Sequence, residues 1–272
     1  MSRITGCFQC LQRDGRCALI PFVTAGDPDL SVTLPLMHSL VAAGADILEL
    51  GVPFSDPMAD GPVIQRANER ALARQVSLRK VLGLVEAFRS RDAETPVVVM
   101  GYLNPIEVMG YGAFCDAAAR AGVDGVITVD LPPEEASPFV QVLQRRGIDP
   151  IFLLAPTSDE ARIAQICTMA SGFVYYVSLK GVTGAAHLDI GAVAERLSVI
   201  KGITDLPVAV GFGIRDPESA AGIGAISDAV VVGSALVQRV EALADRWEAI
   251  PEEVSTLIAE MRRAMDRIRR PR

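Results

Sequence analysis

The chain has 272 residues, half of them hydrophobic and 22 % charged, with 26 basic against 33 acidic side chains and a formal net charge of −7. That length suits one large α/β domain or two of ordinary size, and the hydrophobic share excludes a disordered chain. The acidic balance and the 5 % aromatic content argue against nucleic-acid binding, and no apolar run reaches the ~18 residues of a membrane span.

The opening segment MSRITGCFQC lacks the apolar stretch of a secretory signal, so a cytoplasmic protein is expected. Residues 3–12 have helical spacing and carry Cys7 and Cys10 as C-x-x-C, with Cys17 close behind. Five cysteines are an odd number, which speaks against a disulfide framework. A zinc site there would lack a fourth ligand of suitable spacing, since the histidines are His38 and His187; reduced thiols beside an amphipathic helix are expected, and no metal.

Eight short apolar or β-branched runs follow, at 18–24, 46–50, 96–100, 125–129, 149–154, 173–178, 207–211 and 228–232. Helical spacing fills the intervals, at 30–43, 62–73, 77–91, 105–121, 133–146, 158–168, 190–201, 216–225 and 235–247, with a last helix over 250–268. Strands apolar on both faces fit a parallel sheet covered by helices. Eight strand-then-helix units in succession predict a (β/α)8 TIM barrel, a single domain over 1–272 with the helices at 3–12 and 250–268 outside the barrel proper. A doubly wound sheet is the alternative, but Gly211-Phe212-Gly213-Ile214-Arg215-Asp216 lacks the third glycine of G-x-G-x-x-G and no P-loop is present. Six arginines (262, 263, 267, 269, 270 and 272) crowd the last eleven positions. They read as a solvated helix end that complements the helix dipole, or else as a contact for an anionic partner.

Barrel enzymes carry their reacting groups at the C-terminal ends of the strands. In the second strand, period-two alternation puts Ile47 and Glu49 on one face, and Leu48 and Leu50 on the other. Either face is buried, so Glu49 is a carboxyl in apolar surroundings, with a raised pKa and the capacity to exchange a proton near neutral pH. A structural glutamate satisfied by an arginine or by backbone donors fits the same spacing. The next loop, 52–62, holds Asp56 and Asp60, and two acids at one strand exit suit acid/base chemistry on a neutral substrate. Asp60-Gly61-Pro62 equally fits a plain helix start.

Three successive late loops carry glycines, in Lys180-Gly181-Val182-Thr183-Gly184, Gly211-Phe212-Gly213 and Gly233-Ser234-Ala235. Glycines admit backbone N–H groups to an oxyanion, and Gly233-Ser234 opens a helix at its positive end, so a phosphate is expected there. Two scattered histidines are too few for a metal-dependent aldolase. A Schiff-base aldolase needs a desolvated lysine; Lys80 and Lys201 fall on helices, which leaves Lys180 as the candidate for that alternative.

The run LELGVPFSDPMADGP (48–62) resembles the signature of the tryptophan synthase alpha chain family. FVTAGDP (22–28), YLNP (102–105), VDLPPEE (129–135), SLKGVTGA (178–185), VGFGI (210–214) and VVGSALV (231–237) resemble the same family in the same order. The resemblance implies a (β/α)8 barrel that cleaves indole-3-glycerol phosphate to indole and glyceraldehyde 3-phosphate. It also implies an α2β2 heterotetramer with a beta chain that receives the indole and holds pyridoxal phosphate, and no cofactor in this chain. Residue by residue, it makes Glu49 the acid/base at indole C3 and Asp60 the acceptor of the indole N–H. Tyr175 would pack near the scissile bond, Gly184, Gly213, Gly233 and Ser234 would hold the phosphate, and Phe22 and Phe212 would line the pocket. Thr183 would belong to a lid, and Pro53, Asp56, Asn104 and Pro132 would face the beta chain. Lys180 and Glu107 depart from what other members carry at the rim, which touches the strength of partner contact rather than the chemistry. A stand-alone indole-releasing lyase is the near alternative.

Overall fold

The computed structural model describes residues 2–178, 189–211 and 213–268. Its strands are β1 (Ala18–Thr24), β2 (Leu48–Gly51), β3 (Val97–Gly101), β4 (Gly125–Thr128), β5 (Asp149–Leu154), β6 (Val174–Val177), β7 (Val208–Gly211) and β8 (Ala229–Val232). The helices are α1 (Arg3–Arg13), α2 (Leu30–Ala42), α3 (Pro62–Ala73), α4 (Leu78–Arg89), α5 (Leu103–Met109) and α6 (Tyr111–Ala121) in the first half. The second half carries α7 (Pro133–Arg145), α8 (Glu160–Met169), α9 (Ile190–Lys201), α10 (Pro217–Gly224), α11 (Ser234–Ala242) and α12 (Ile250–Asp266). The strands pair in sequence order, all parallel, and β8 closes on β1 through Ala18–Ala229 and its successors, giving the expected closed barrel.

Strand alternation divides the core into two layers. Leu48 and Leu50 face outward with Val97, Val99 and the apolar faces of the helices. Ile20, Ile47, Val98, Ile127 and Val231 point into the barrel and fill it. Burial of both layers is what makes these strands apolar throughout. Among the described residues no helix is long and apolar enough to cross a membrane.

Three details differ from the sequence expectations. The helix α1 does not lie apart from the barrel: Ile4, Phe8 and Leu11 are buried in the interior cluster with Ile20 and Phe173, so α1 plugs the N-terminal mouth. Its apolar residues at i, i+4 and i+7 need a partner surface, and the open barrel end supplies one. The span 105–121 is two helices, broken at Gly110, whose φ of 84° leaves the helical region. The span 235–247 ends at Ala242, where Leu243 turns into the core and its N–H bonds back to Arg239 and Val240.

At the basic C-terminus Arg263 and Arg267 are exposed as expected, and Arg269, Arg270 and Arg272 lie outside the described residues, but Arg262 departs from a solvated face. Arg262 is 6 % exposed, donates to Cys17 O at 3.0 Å and Asp46 Oδ2 at 3.1 Å, and so fastens α12 to the base of β1 and β2. Its apolar surroundings make the pair a structural tie rather than a dipole complement. In the N-terminal helix, burial pushes the Cys7 thiol up to about 12, and its Sγ donates to Asp46 O. Among the described residues no group of three or more His, Cys, Asp or Glu side chains could hold a metal ion.

Candidate active site

Glu49 sits in β2 between Phe22 of β1 and Val98 of β3, at the level where the interior packing gives way to the C-terminal mouth. It is 1 % exposed, and its Oε2 atom has no hydrogen-bond partner among the described residues. Among the described residues no arginine or backbone donor satisfies that oxygen, as the purely structural reading of this glutamate would require. Burial alone pushes its carboxyl from 4.5 to about 8, so at neutral pH the group is mainly the acid form. Tyr175 of β6 is the charged form's neighbour: burial first, then the Glu49 charge, holds its hydroxyl well above the ordinary tyrosine value.

Two glycines make room for these side chains. A Cβ at Gly211 would lie 2.2 Å from Tyr175 Oη, and one at Gly51 would lie 2.6 Å from Phe22 Cζ. Neither aromatic ring can retreat into a filled barrel. A Cβ at Gly233 would lie 3.6 Å from Phe22 Cδ1, so the Phe22 ring spans the interval between the β2 and β8 exits.

Asp60 is held at the rim by residues that the sequence reading did not single out. Tyr102 Oη donates to Asp60 Oδ2 at 3.2 Å and accepts from Ala59 N at 3.0 Å. Asn68 Nδ2 donates to the same Oδ2 at 3.4 Å, and Gln65 Nε2 donates to Asp60 O at 2.9 Å. Burial raises the Asp60 carboxyl, while the Tyr102 and Asn68 bonds pull it back. Phe54 stacks on the Tyr102 ring, with centroids 4.9 Å apart, and completes the fastening of the 53–60 loop. A cavity opens here between Phe22, Gly51, Asp60, Asn68, Met100 and Tyr102. One signal for Asn68 was available: it shares the buried face of α3 with Ala67 and Ala71, where a polar side chain needs a partner.

The β8 exit, separated from the β2 exit by β1 alone, suits an anion. Ser234 is exposed and is the first residue of α11, whose N-cap is Gly233. The first N–H groups of a helix have no partner within it, and the dipole adds partial positive charge. Gly213 is exposed with φ +77°. Thr183, Gly184 and Phe212, together with Lys180 and His187, lie outside the described residues. At the outer rim Asp56 and Asn104 are exposed and Pro132 is partly exposed, whereas Pro53 is buried beneath the loop and offers no outward surface. Beside them Met58 and Val108 are 87 % and 83 % exposed, an apolar pair left in water.

Thus a buried carboxyl whose Oε2 has no partner among the described residues stands in β2, an anchored carboxyl lines the cavity at the β2 exit, and a helix N-terminus opens two strands away at the β8 exit. Comparison with known proteins identifies a family. The family model described as "Tryptophan synthase alpha chain" matches residues 8–266. A curated relative of that description from Thioalkalivibrio sulfidiphilus is 67 % identical over 98 % of this chain and 100 % of its own. One from Nitrosococcus oceani is 62 % identical over 98 % of each. The crystal structure of tryptophan synthase subunit alpha from Legionella pneumophila superposes with a TM-score of 0.93 at 44 % identity, covering 98 % of this chain and 100 % of that one.

Proposed function

The chain belongs to the tryptophan synthase alpha chain family, and on that premise we propose that it cleaves indole-3-glycerol phosphate to indole and glyceraldehyde 3-phosphate. Glu49, in its acid form, gives its proton to indole C3. The ring nitrogen becomes positive, and Asp60 accepts its N–H in a charge-assisted hydrogen bond. The Glu49 carboxylate so formed then takes the proton of the adjacent glycerol hydroxyl. The bond from that carbon to C3 breaks, its electron pair restores the neutral indole ring, and the hydroxyl carbon leaves as the aldehyde. Glu49 ends as it began, protonated. Tyr175 and Phe22 shape the space around the breaking bond, and Gly213, Gly233 and Ser234 take the phosphate, with Thr183, Gly184 and Phe212 completing the site.

The observation that carries this reading is the carboxyl of Glu49, whose Oε2 is buried without a partner among the described residues and which burial pushes up to about 8, two residues before Gly51, which lines a cavity with Asp60. A general acid near neutrality is what C3 protonation requires. The chemistry asks for no cofactor in this chain, and pyridoxal phosphate is assigned to the beta chain. We place that partner, in an α2β2 assembly, on the rim of Asp56, Asn104 and Pro132, where Met58 and Val108 supply exposed apolar area. The chain acts as one barrel domain. Replacing Glu49 by Gln keeps shape and removes the proton, and steady-state indole release should fall by ~10²–10⁴ or more. Turnover near the wild-type rate would remove Glu49 from the mechanism.

A further inference from the structure

The two ends of the site are carried by two different helices. The helix α3 begins two residues after Asp60 and holds it through Gln65 and Asn68; α11 begins at Ser234. Between them Phe22 is buried in a small cluster with Ala67 of α3 and Val237 of α11. One turn further along each helix, on the same faces, stand Arg70 and Glu241. Arg70 Nη1 donates to Glu241 Oε1 at 2.9 Å. Its Nε and Nη2 atoms donate to the two oxygens of Asp27 at 2.7 and 2.8 Å. Arg66 closes the set with bonds of 2.6 and 2.8 Å to the two oxygens of Glu241.

Asp27 is a fixed reference for this cluster. It is 4 % exposed, in the loop that leaves β1, and neighbouring Gly26 is locked by a bond from its N–H to Thr33 Oγ1 at 2.9 Å. A planar guanidinium delivers bonds in two directions at a set angle, which an ammonium cannot do. Arg70 therefore ties α3 to the β1 loop and to α11 at once.

We propose that Arg70 is a positioning residue that sets the span between the Asp60 end and the Ser234 end of the site. The proposal rests on the function given above, because only a substrate with an indole at one end and a phosphate at the other feels that span. A network that merely held the fold together would lower stability and leave the affinities of the folded molecules unchanged. A spacer acts differently: ligands that occupy one end ignore it, and a ligand that bridges both ends does not.

The test uses the full-length chain and three ligands: indole-3-propanol phosphate, which bridges the site without the reacting hydroxyls, and the fragments indole and glycerol 3-phosphate. In Arg70→Met the bridging ligand should bind about tenfold to a hundredfold more weakly. Each fragment should stay within about twofold of wild type. Arg70→Lys should fall between wild type and Arg70→Met for the bridging ligand only. Arg70→Met leaves Asp27 buried without its cation and loses stability, so Glu241→Gln, which keeps the Arg70–Asp27 pair, repeats the comparison in a variant expected to fold. Equal weakening of all three ligands, or of none, overturns the proposal while leaving the proposed reaction standing. A wild-type chain that binds none of them overturns the reaction and this inference together.

Discussion

Because Glu49 is buried in its acid form, replacing it by Gln should remove a loss of stability that grows with pH while abolishing its chemistry. The sign follows from where the proton sits. An unfolded glutamate titrates near 4.5 and the folded one at about 8, so between these values the folded chain retains a proton that the unfolded chain has released. Stability attributed to this group is fully present below about pH 4.5 and is lost as pH rises through 8. With one pKa unit worth about 1.4 kcal/mol, the wild type should lose about 3 kcal/mol relative to Glu49→Gln between pH 5 and pH 8. The other carboxylates titrate alike in both proteins and cancel. The Gln amide carries its own burial cost, but that cost does not vary with pH. Urea unfolding of both proteins across this range measures the difference directly. Parallel stability curves would refute the argument, since they would mean that Glu49 has an ordinary pKa and that its burial is compensated.

Tyr102→Phe removes one donor to Asp60 and one acceptor for Ala59 N; with each bond worth about 1 kcal/mol, indole release should fall roughly tenfold and the melting temperature by several degrees. Gly211→Ala sets a methyl 2.2 Å from Tyr175 Oη and should cost about 1–3 kcal/mol of stability together with most of the activity. Pairing it with a small residue at position 175 should recover stability, which thermal melts of the single and double variants would decide.

The barrel was legible because both layers of every strand are buried, so eight apolar runs stand out against polar helix faces. Glu49 was legible for the same reason: a carboxylate inside such a run has no solvent to face. The break at Gly110 was not, since Pro105 through Ala121 keep helical composition and only the backbone angle of Gly110 separates the two helices. Arg262 was misread because charge at a chain terminus looks solvated, while its burial depends on Asp46 and Cys17, more than two hundred residues away in sequence. The Tyr102 and Asn68 contacts to Asp60 have the same character. Each partner is ordinary in its own element, and only closure of the barrel brings them to one carboxylate. Pro53 shows the converse: a loop proline reads as exposed until Phe54 stacks on Tyr102 and draws the loop inward.

The most direct test of the account is indole release from indole-3-glycerol phosphate by the purified chain, titrated with a beta chain. If the partner docks on the Asp56–Asn104 rim and favours a closed site populated at ~1 % in the free chain, release should rise by about one to two orders of magnitude to a plateau. Release should also disappear in Glu49→Gln at every point of the titration. Absence of indole at all beta-chain concentrations, or equal release by Glu49→Gln, would contradict it.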